Sequence, residues 1–305
     1  MTLGERSFCH LLTDINLRKR AVVLSNNKIT NAMSVDVEDY FQVSAFESII
    51  DRADWDKLEC RVENNTRKAL ALFSEADVKA TFFVLGWVAE RYPELVREIV
   101  EHGHELASHG YSHTRITMLD QAKFRDEIRA SKNILEEIGG VEVKGYRAPS
   151  YSIVNSTLWA HELLAEEGYR YSSSVYPIKH DLYGIPDAPR FKYEVPEIEM
   201  LEIPVSTTLV CGRNIPCGGG GYFRLFPYRL SKWAIARVNR NEGQPCNFYF
   251  HPWELDPGQP RQQQIPLKTR FRHYLNLSRM ESRLQHLLKD FSWGTMEEVY
   301  LGQSK

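Results

Sequence analysis

The chain has 305 residues, is 43% hydrophobic and 26% charged, and carries a formal net charge of −2. That composition fits one large α/β domain or two small ones. A near-zero charge, with Lys and Arg spread along the chain, gives no support for a nucleic-acid partner. No apolar run of about 18 residues occurs, so no ordinary membrane span is expected.

Residues 1–30 hold a basic cluster (Arg18, Lys19, Arg20) and a polar "SNNKITN" stretch with weak periodicity. They read as a poorly ordered N-terminal extension, with the folded domain over 31–305. The stretch lacks the continuous apolar core of a secretory signal, and a cytoplasmic location is expected. Five scattered cysteines (Cys9, Cys60, Cys211, Cys217, Cys246) form no C-x-x-C pair. They are expected to be reduced, mostly packed thiols.

"MSVDVEDYFQV" (33–43) reads as a strand that ends in three carboxylates, Asp36, Glu38 and Asp39. The segment "CRVENNTRKALALFSEADV" has helical apolar spacing, and "KATFFVLG" is a buried strand closed by Gly86. "YPELVREIVEHG" is a helix with Pro93 in its first turn and Gly103 as its stop. "HELASHG" is a short strand. "TMLDQAKFRDEIRASKNILEEIGG" is an amphipathic helix, with Thr117 as the expected N-cap and Gly139-Gly140 at its end. "VEVKGYRAPS" returns as a strand and "NSTLWAHELLAEEGY" as a helix. Residues 180–245 read as long loops and short strands. "RMESRLQHLLKDF" is a last amphipathic helix. Alternating strands and helices predict parallel βα units, whose strand ends collect the ligand-binding residues on one face.

Four segments carry candidate chemistry. "HGHELASHGYSH" sets His109 and His113 four apart, so two imidazoles can face one point. With one carboxylate they would form a His₂-carboxylate site that keeps a coordination position open. Taken alone, surface histidines near a turn explain the spacing equally well. "GYRAPSYS" puts Arg147 at a strand end, where it could hold a carboxylate bidentately. "CNFYFHPWELDP" puts His251 at the end of an aromatic strand, where it could move a proton. Asp36, His109, Arg147 and His251 each fall at or just past the end of a separate expected strand. "CGGGG" is no phosphate loop, since no Lys-Ser/Thr follows it, and reads as a mobile loop. Glu63 and Glu127 read as solvated helix carboxylates. Tyr151, Tyr176, Tyr222 and Trp253 could stack on sugar rings or simply fill the core.

On "VDVEDYFQV", "SHGYSH", "YRAPSYS", "SSSVYPIKHDLYGIPDAPR", "GGGGYFRL" and "FYFHPWELDP", the chain resembles the polysaccharide deacetylases of carbohydrate esterase family four, the NodB-type enzymes. Within them it is similar to the subgroup associated with exosortase and exopolysaccharide gene clusters. The resemblance implies a distorted, seven-stranded (β/α) barrel and a metal-dependent de-N-acetylase. The substrate would be N-acetylhexosamine units of a bacterial exopolysaccharide or its precursor, with exopolysaccharide synthesis proteins as partners. Asp36 would be the general base, Arg147 its orienting arginine, and His251 the acid that protonates the leaving amine. His109, His113 and one carboxylate would hold a divalent metal, usually zinc. The Ser150 N–H would help stabilise the oxyanion, with Tyr151 and Trp253 beside the substrate. Two departures stand out. The usual adjacent aspartates are absent, because Val37 follows Asp36, which leaves Glu38 or Asp39 as the metal carboxylate, with a lean to Asp39. Ser172 stands where the acid that tunes His251 is expected. Competing readings are another amidohydrolase on the same scaffold, acting on a cyclic amide or urea-like substrate, and a non-catalytic glycan-binding component.

Overall fold

The computed structural model describes residues 29–180 and 183–302, so nearly all of the expected N-terminal extension lies outside the described residues. In chain order the strands are β1 (Thr30–Val37), β2 (Thr81–Val84), β3 (Glu105–Ser108), β4 (Gly145–Tyr146), β5 (Tyr171–Ser172), β6 (Tyr193–Glu194), β7 (Leu201–Glu202), β8 (Thr207–Val210), β9 (Arg213–Pro216), β10 (Asn247–Phe250) and β11 (Ser292–Gly294). The main sheet runs β10-β1-β2-β3-β4-β5-β7-β6, with β11 paired to β1, while β8 and β9 form a separate hairpin. From β10 to β7 every pairing is parallel, which gives seven parallel strands; β6 alone runs antiparallel on the edge.

This is the expected α/β barrel with seven parallel strands, and its distortion has a location. No ladder joins β10 to β7 among the described residues. Side chains bridge the seam instead. Asn247 Nδ2 donates to the carbonyls of Ile203 and Pro204, both at 3.4 Å, and the Asn247 N–H donates to Ser206 Oγ at 2.7 Å. Such bonds satisfy backbone groups that an open sheet edge would leave bare.

Alternation along β1 sorts its side chains. Met33, Val35 and Val37 join the apolar layer under the helices, with Leu70, Phe73, Leu95 and Leu284. Ala32 faces the other way, into a small interior cluster with Phe83, Ala107, Tyr171 and Ile203. Ser34 and Asp36 share that inward side and both bond Arg147. A period-two pattern thus puts hydrocarbon outside the strands and a polar plug within.

The helices over 62–76, 93–101, 121–139 and 277–290 follow their apolar spacing. Helix 121–139 begins three residues later than Thr117 suggested. Asp120 is its cap, accepting the Lys123 N–H at 2.9 Å, and Thr117 sits in a preceding 3-10 turn. Residues 180–245, read as loops and short strands, also contain helices Gly220–Leu225 and Tyr228–Arg237. The glycine run is therefore a close approach rather than a loop alone: a Cβ on Gly220 would lie 2.2 Å from Glu254 Oε1. Glu254 is buried and held on both sides, so it cannot swing clear. Gly220→Ala is expected to lower stability by about 1–3 kcal/mol, read as a shift of the denaturant midpoint.

Candidate active site

Arg147 is fully buried at the head of the barrel interior. Its Nη1 donates to Asp36 Oδ1 at 2.5 Å and to Ser34 Oγ at 2.9 Å, while Nη2 reaches Ser173 Oγ at 3.0 Å and Asn247 Oδ1 at 3.4 Å. Nε donates to the Ser173 carbonyl, and the guanidinium lies 4.0 Å from the centre of the Phe83 ring. Burial alone would lower its pKa, but the Asp36 carboxylate beside it raises it. Asp36 is thus fixed by one oxygen, and its other oxygen, Oδ2, lies 4.0 Å from His251 Nε2.

The two residues that follow β1, Glu38 and Asp39, are the remaining acids. Glu38 Oε2 lies 2.7 Å from His113 Nε2 and 4.0 Å from His109 Nε2. Asp39 points away: its carboxylate accepts the N–H groups of Tyr40, Arg61 and Val62, and so caps the start of helix 62–76. Of the two carboxylates the sequence left open, with its lean to Asp39, it is Glu38 that meets the two imidazoles, while Asp39 is engaged by backbone N–H groups. The alternation of a strand carried on past Val37 puts residues 36 and 38 on one side, and helix capping claims residue 39. Burial raises the Asp39 carboxyl to about 6 despite those bonds.

The turn that carries the histidines is fastened from below. Gly110 and His113 both adopt positive φ, +77° and +53°. Glu127, read as solvated, accepts the N–H groups of Tyr111 and Ser112 and the Ser112 hydroxyl, while Arg52 bonds the carbonyls of Ser112 and His113. His109 Nδ1 meets the Arg147 carbonyl at 2.8 Å, which places its proton on Nδ1 and leaves Nε2 bare toward Glu38.

Sequence reasoning left His251 without a partner, and the structure supplies one. Its Nδ1 lies 2.9 Å from Glu254 Oε1, three residues on, and its N–H donates to the same oxygen. Glu254 Oε2 in turn receives Arg224 Nε at 2.5 Å. Burial would raise the Glu254 carboxyl, but Arg224 and His251 hold it down near 2. Burial would lower His251, yet Glu38 and Glu254 beside it push it up to about 9. The ring stacks on Trp253, which stacks on His273 in turn, and Trp253 Nε1 donates to Glu38 Oε1 at 3.2 Å. Trp253 is buried, so it braces the site rather than offering a free face to a sugar. The "HPWE" stretch itself held the signal for Glu254: an acid three residues after the histidine on a tight turn. Arg224 and His273 gave no such sign.

Ser150 and Tyr151 both adopt positive φ, +52°. The Tyr151 N–H donates to the Ala148 carbonyl at 3.0 Å, whereas the Ser150 N–H has no backbone acceptor among the described residues. Ser150 Oγ pairs with Ser44 Oγ at 2.6 Å. Asp36, Glu38, His109, His113, Ser150, Tyr151, His251 and Trp253 all border one cavity of about 300 Å³. Arg147 and Asp39 stand behind it.

Glu38, His109 and His113 could hold a metal ion: one donor atom from each lies within 4.8 Å of the others. Two observations fit that use. Glu38 Oε2 is buried and makes no hydrogen bond of acceptable geometry, although His113 Nε2 is 2.7 Å away. The protonation states also suit ligands. Burial would raise the Glu38 carboxyl, but His113 and His251 hold it well below the usual range, and burial pushes His109 down to about 4.

Residues 53–172 match the polysaccharide deacetylase family and residues 173–301 a domain of unknown function, DUF3473. A peptidoglycan-N-acetylglucosamine deacetylase of Bacillus cereus is 36% identical over 98 residues, covering 32% of this chain and 36% of that one. A peptidoglycan deacetylase of Helicobacter pylori is 32% identical over 108 residues, covering 35% of this chain and 36% of its own. A chitooligosaccharide deacetylase of Bradyrhizobium is 34% identical over 101 residues, covering 33% of this chain and 43% of its own. The chain thus spans less than half the length of these relatives. A crystal structure from Mycobacterium smegmatis, assigned as a polysaccharide deacetylase, superposes over 90% of both chains with a TM-score of 0.59 at 22% identity, which shows a shared fold. The segment 53–172, which contains His109, His113, Arg147 and Ser150, matches the polysaccharide deacetylase family, and the chain as a whole shares its fold with the M. smegmatis protein.

Proposed function

We propose that the protein is a metal-dependent de-N-acetylase acting on N-acetylhexosamine units of a bacterial exopolysaccharide or its precursor. One observation carries the reaction: a His₂-carboxylate trio and a separate base and acid border a single cavity. The substrate choice rests on the sequence resemblance to the exopolysaccharide-associated subgroup, and peptidoglycan fragments are the competing substrate. Cytoplasmic action on a precursor belongs to the same proposal.

Glu38, His109 and His113 would hold a divalent ion, with zinc the first choice for a site of two imidazoles and one carboxylate. Such an ion supplies water acidified to a pKa of about 7 and polarises the acetyl carbonyl. Asp36 takes the proton of the attacking water on Oδ2. Arg147 holds Asp36 through Oδ1, so the base cannot rotate away. The Ser150 N–H donates to the carbonyl oxygen as charge develops there, a contribution on the order of 3 kcal/mol. His251, charged at neutral pH, gives its Nε2 proton to the departing nitrogen. Glu254 holds Nδ1 and stabilises the imidazolium, the work expected of an acid at the position Ser172 occupies.

Activity should fall as pH rises through about 9, where His251 loses its proton. Glu254→Gln removes a negative neighbour, so that alkaline limb should move to lower pH in the rate profile. Acetate release from N-acetylated oligosaccharides, with metal analysis of each variant, separates the other roles. His109→Ala should lose both metal and activity. Asp36→Asn should keep the metal and lose roughly two to four orders of magnitude in rate. Glu38→Gln should weaken metal binding, while Asp39→Asn keeps the metal and lowers stability by about 1 kcal/mol through the lost cap. Metal at full stoichiometry in His109→Ala, or turnover of a cyclic amide without acetate release from glycans, would overturn the reading.

A further inference from the structure

The molecule is close to neutral, but its charge is unevenly placed. Residues 203–241 contain six Lys and Arg and residues 257–280 contain five, and neither stretch has an Asp or Glu. The fold joins the two stretches. Helix 220–225 packs on helix 267–274, and Leu225, Lys268, Phe271 and Arg272 line one cleft with Tyr222. A second cleft, also bordered by Tyr222, is lined by Leu230 and Trp233. The first cleft shares Tyr183, Tyr249 and Arg272 with the catalytic cavity, so the basic band reaches the mouth of the site.

The same band exposes large apolar side chains. Leu267 is 80% exposed and Phe271 58%, with Leu225, Leu230 and Trp233 between 43% and 46%. Arg229, Lys268, Arg270 and Arg272 are exposed and, among the described residues, enter no ion pair. Lys232 differs, being tied to Asp290 at 2.7 Å. Cationic heads set among exposed aliphatic and aromatic side chains match an anionic bilayer interface, which takes up both. A polyanionic glycan would satisfy the cations and leave Leu267 and Phe271 in water. A second copy of the same face would oppose like charges.

We infer that this face docks the protein on an anionic lipid bilayer, with the mouth of the catalytic cavity opening beside the headgroups. Attachment is peripheral; no described helix is long and apolar enough to cross a membrane. A glycan presented at headgroup level, as a lipid-linked one would be, then lies beside the cavity. Docking stands apart from the de-N-acetylase reading, because binding is measured without turnover.

The test is flotation of the purified full-length protein with vesicles of phosphatidylcholine alone and of phosphatidylcholine with phosphatidylglycerol. The protein should float with the anionic vesicles only, and less so as salt rises. Each exposed basic residue removed, as in Lys268→Glu or Arg270→Glu, should weaken binding by about five-fold or more. The pair Leu267→Ser and Phe271→Ser should release the protein from anionic vesicles while circular dichroism and acetate release from a soluble oligosaccharide stay unchanged. If that pair fails to fold, the charge variants give the same reading. Equal binding to both vesicle types, no binding to either, or full binding by both sets of variants would overturn the proposal. So would tight binding of a soluble polyanion that is indifferent to the Leu267 and Phe271 changes, or a dimer that those changes dissolve in a protein that never floats.

Discussion

A guanidinium with no access to water sits at the head of the barrel, and the surrounding sequence answers to it. An uncompensated charge in that position would destabilise the fold by about 3–5 kcal/mol, so every donor of Arg147 needs an acceptor. Ser34 and Asp36 from β1, Ser173 from just past β5, and Asn247 from β10 provide them. These groups come from strands on both sides of the open seam, and Asn247 also bridges that seam through its own amide. The same bonds that neutralise the buried cation therefore close the barrel and fix the carboxylate proposed as the base. Structure and chemistry share one interaction here, and neither can be altered alone.

The second half of the chain completes the cavity rather than decorating it. His251, Glu254 and Arg224 all lie in the segment that matches a domain of unknown function. They form a relay in which Arg224 holds Glu254 and Glu254 holds His251. The relay depends on helix 220–225 lying against the turn that follows β10, and that approach requires a residue without a side chain at position 220. Arg224 also bonds the carbonyls of His273 and Leu275, which ties helix 267–274 into the same wall. That helix carries Leu267 and Phe271 outward, so the wall of the cavity and the proposed bilayer-facing surface are two sides of one element.

Much of this was readable in the sequence because it is local or periodic. Apolar spacing located the helices over 62–76, 93–101 and 277–290, and "MSVDVEDYFQV" read as a strand ending in the acids. Motif residues at strand ends pointed to one cavity because parallel βα units bring those ends together. Three things were decided only by tertiary structure. Asp39 was taken by the N–H groups of residues 61 and 62, a demand that no inspection of "DVED" can show, and Glu38 was left for the imidazoles. Glu127 turned from a solvent-facing helix residue into the clamp of the histidine turn, because the loop it holds arrives from outside its own helix. Basic residues that looked evenly spread were gathered into one face, since the fold joins two stretches that the sequence keeps apart. Periodicity reports which side of an element a residue faces; what waits on that side is set by contacts between distant segments.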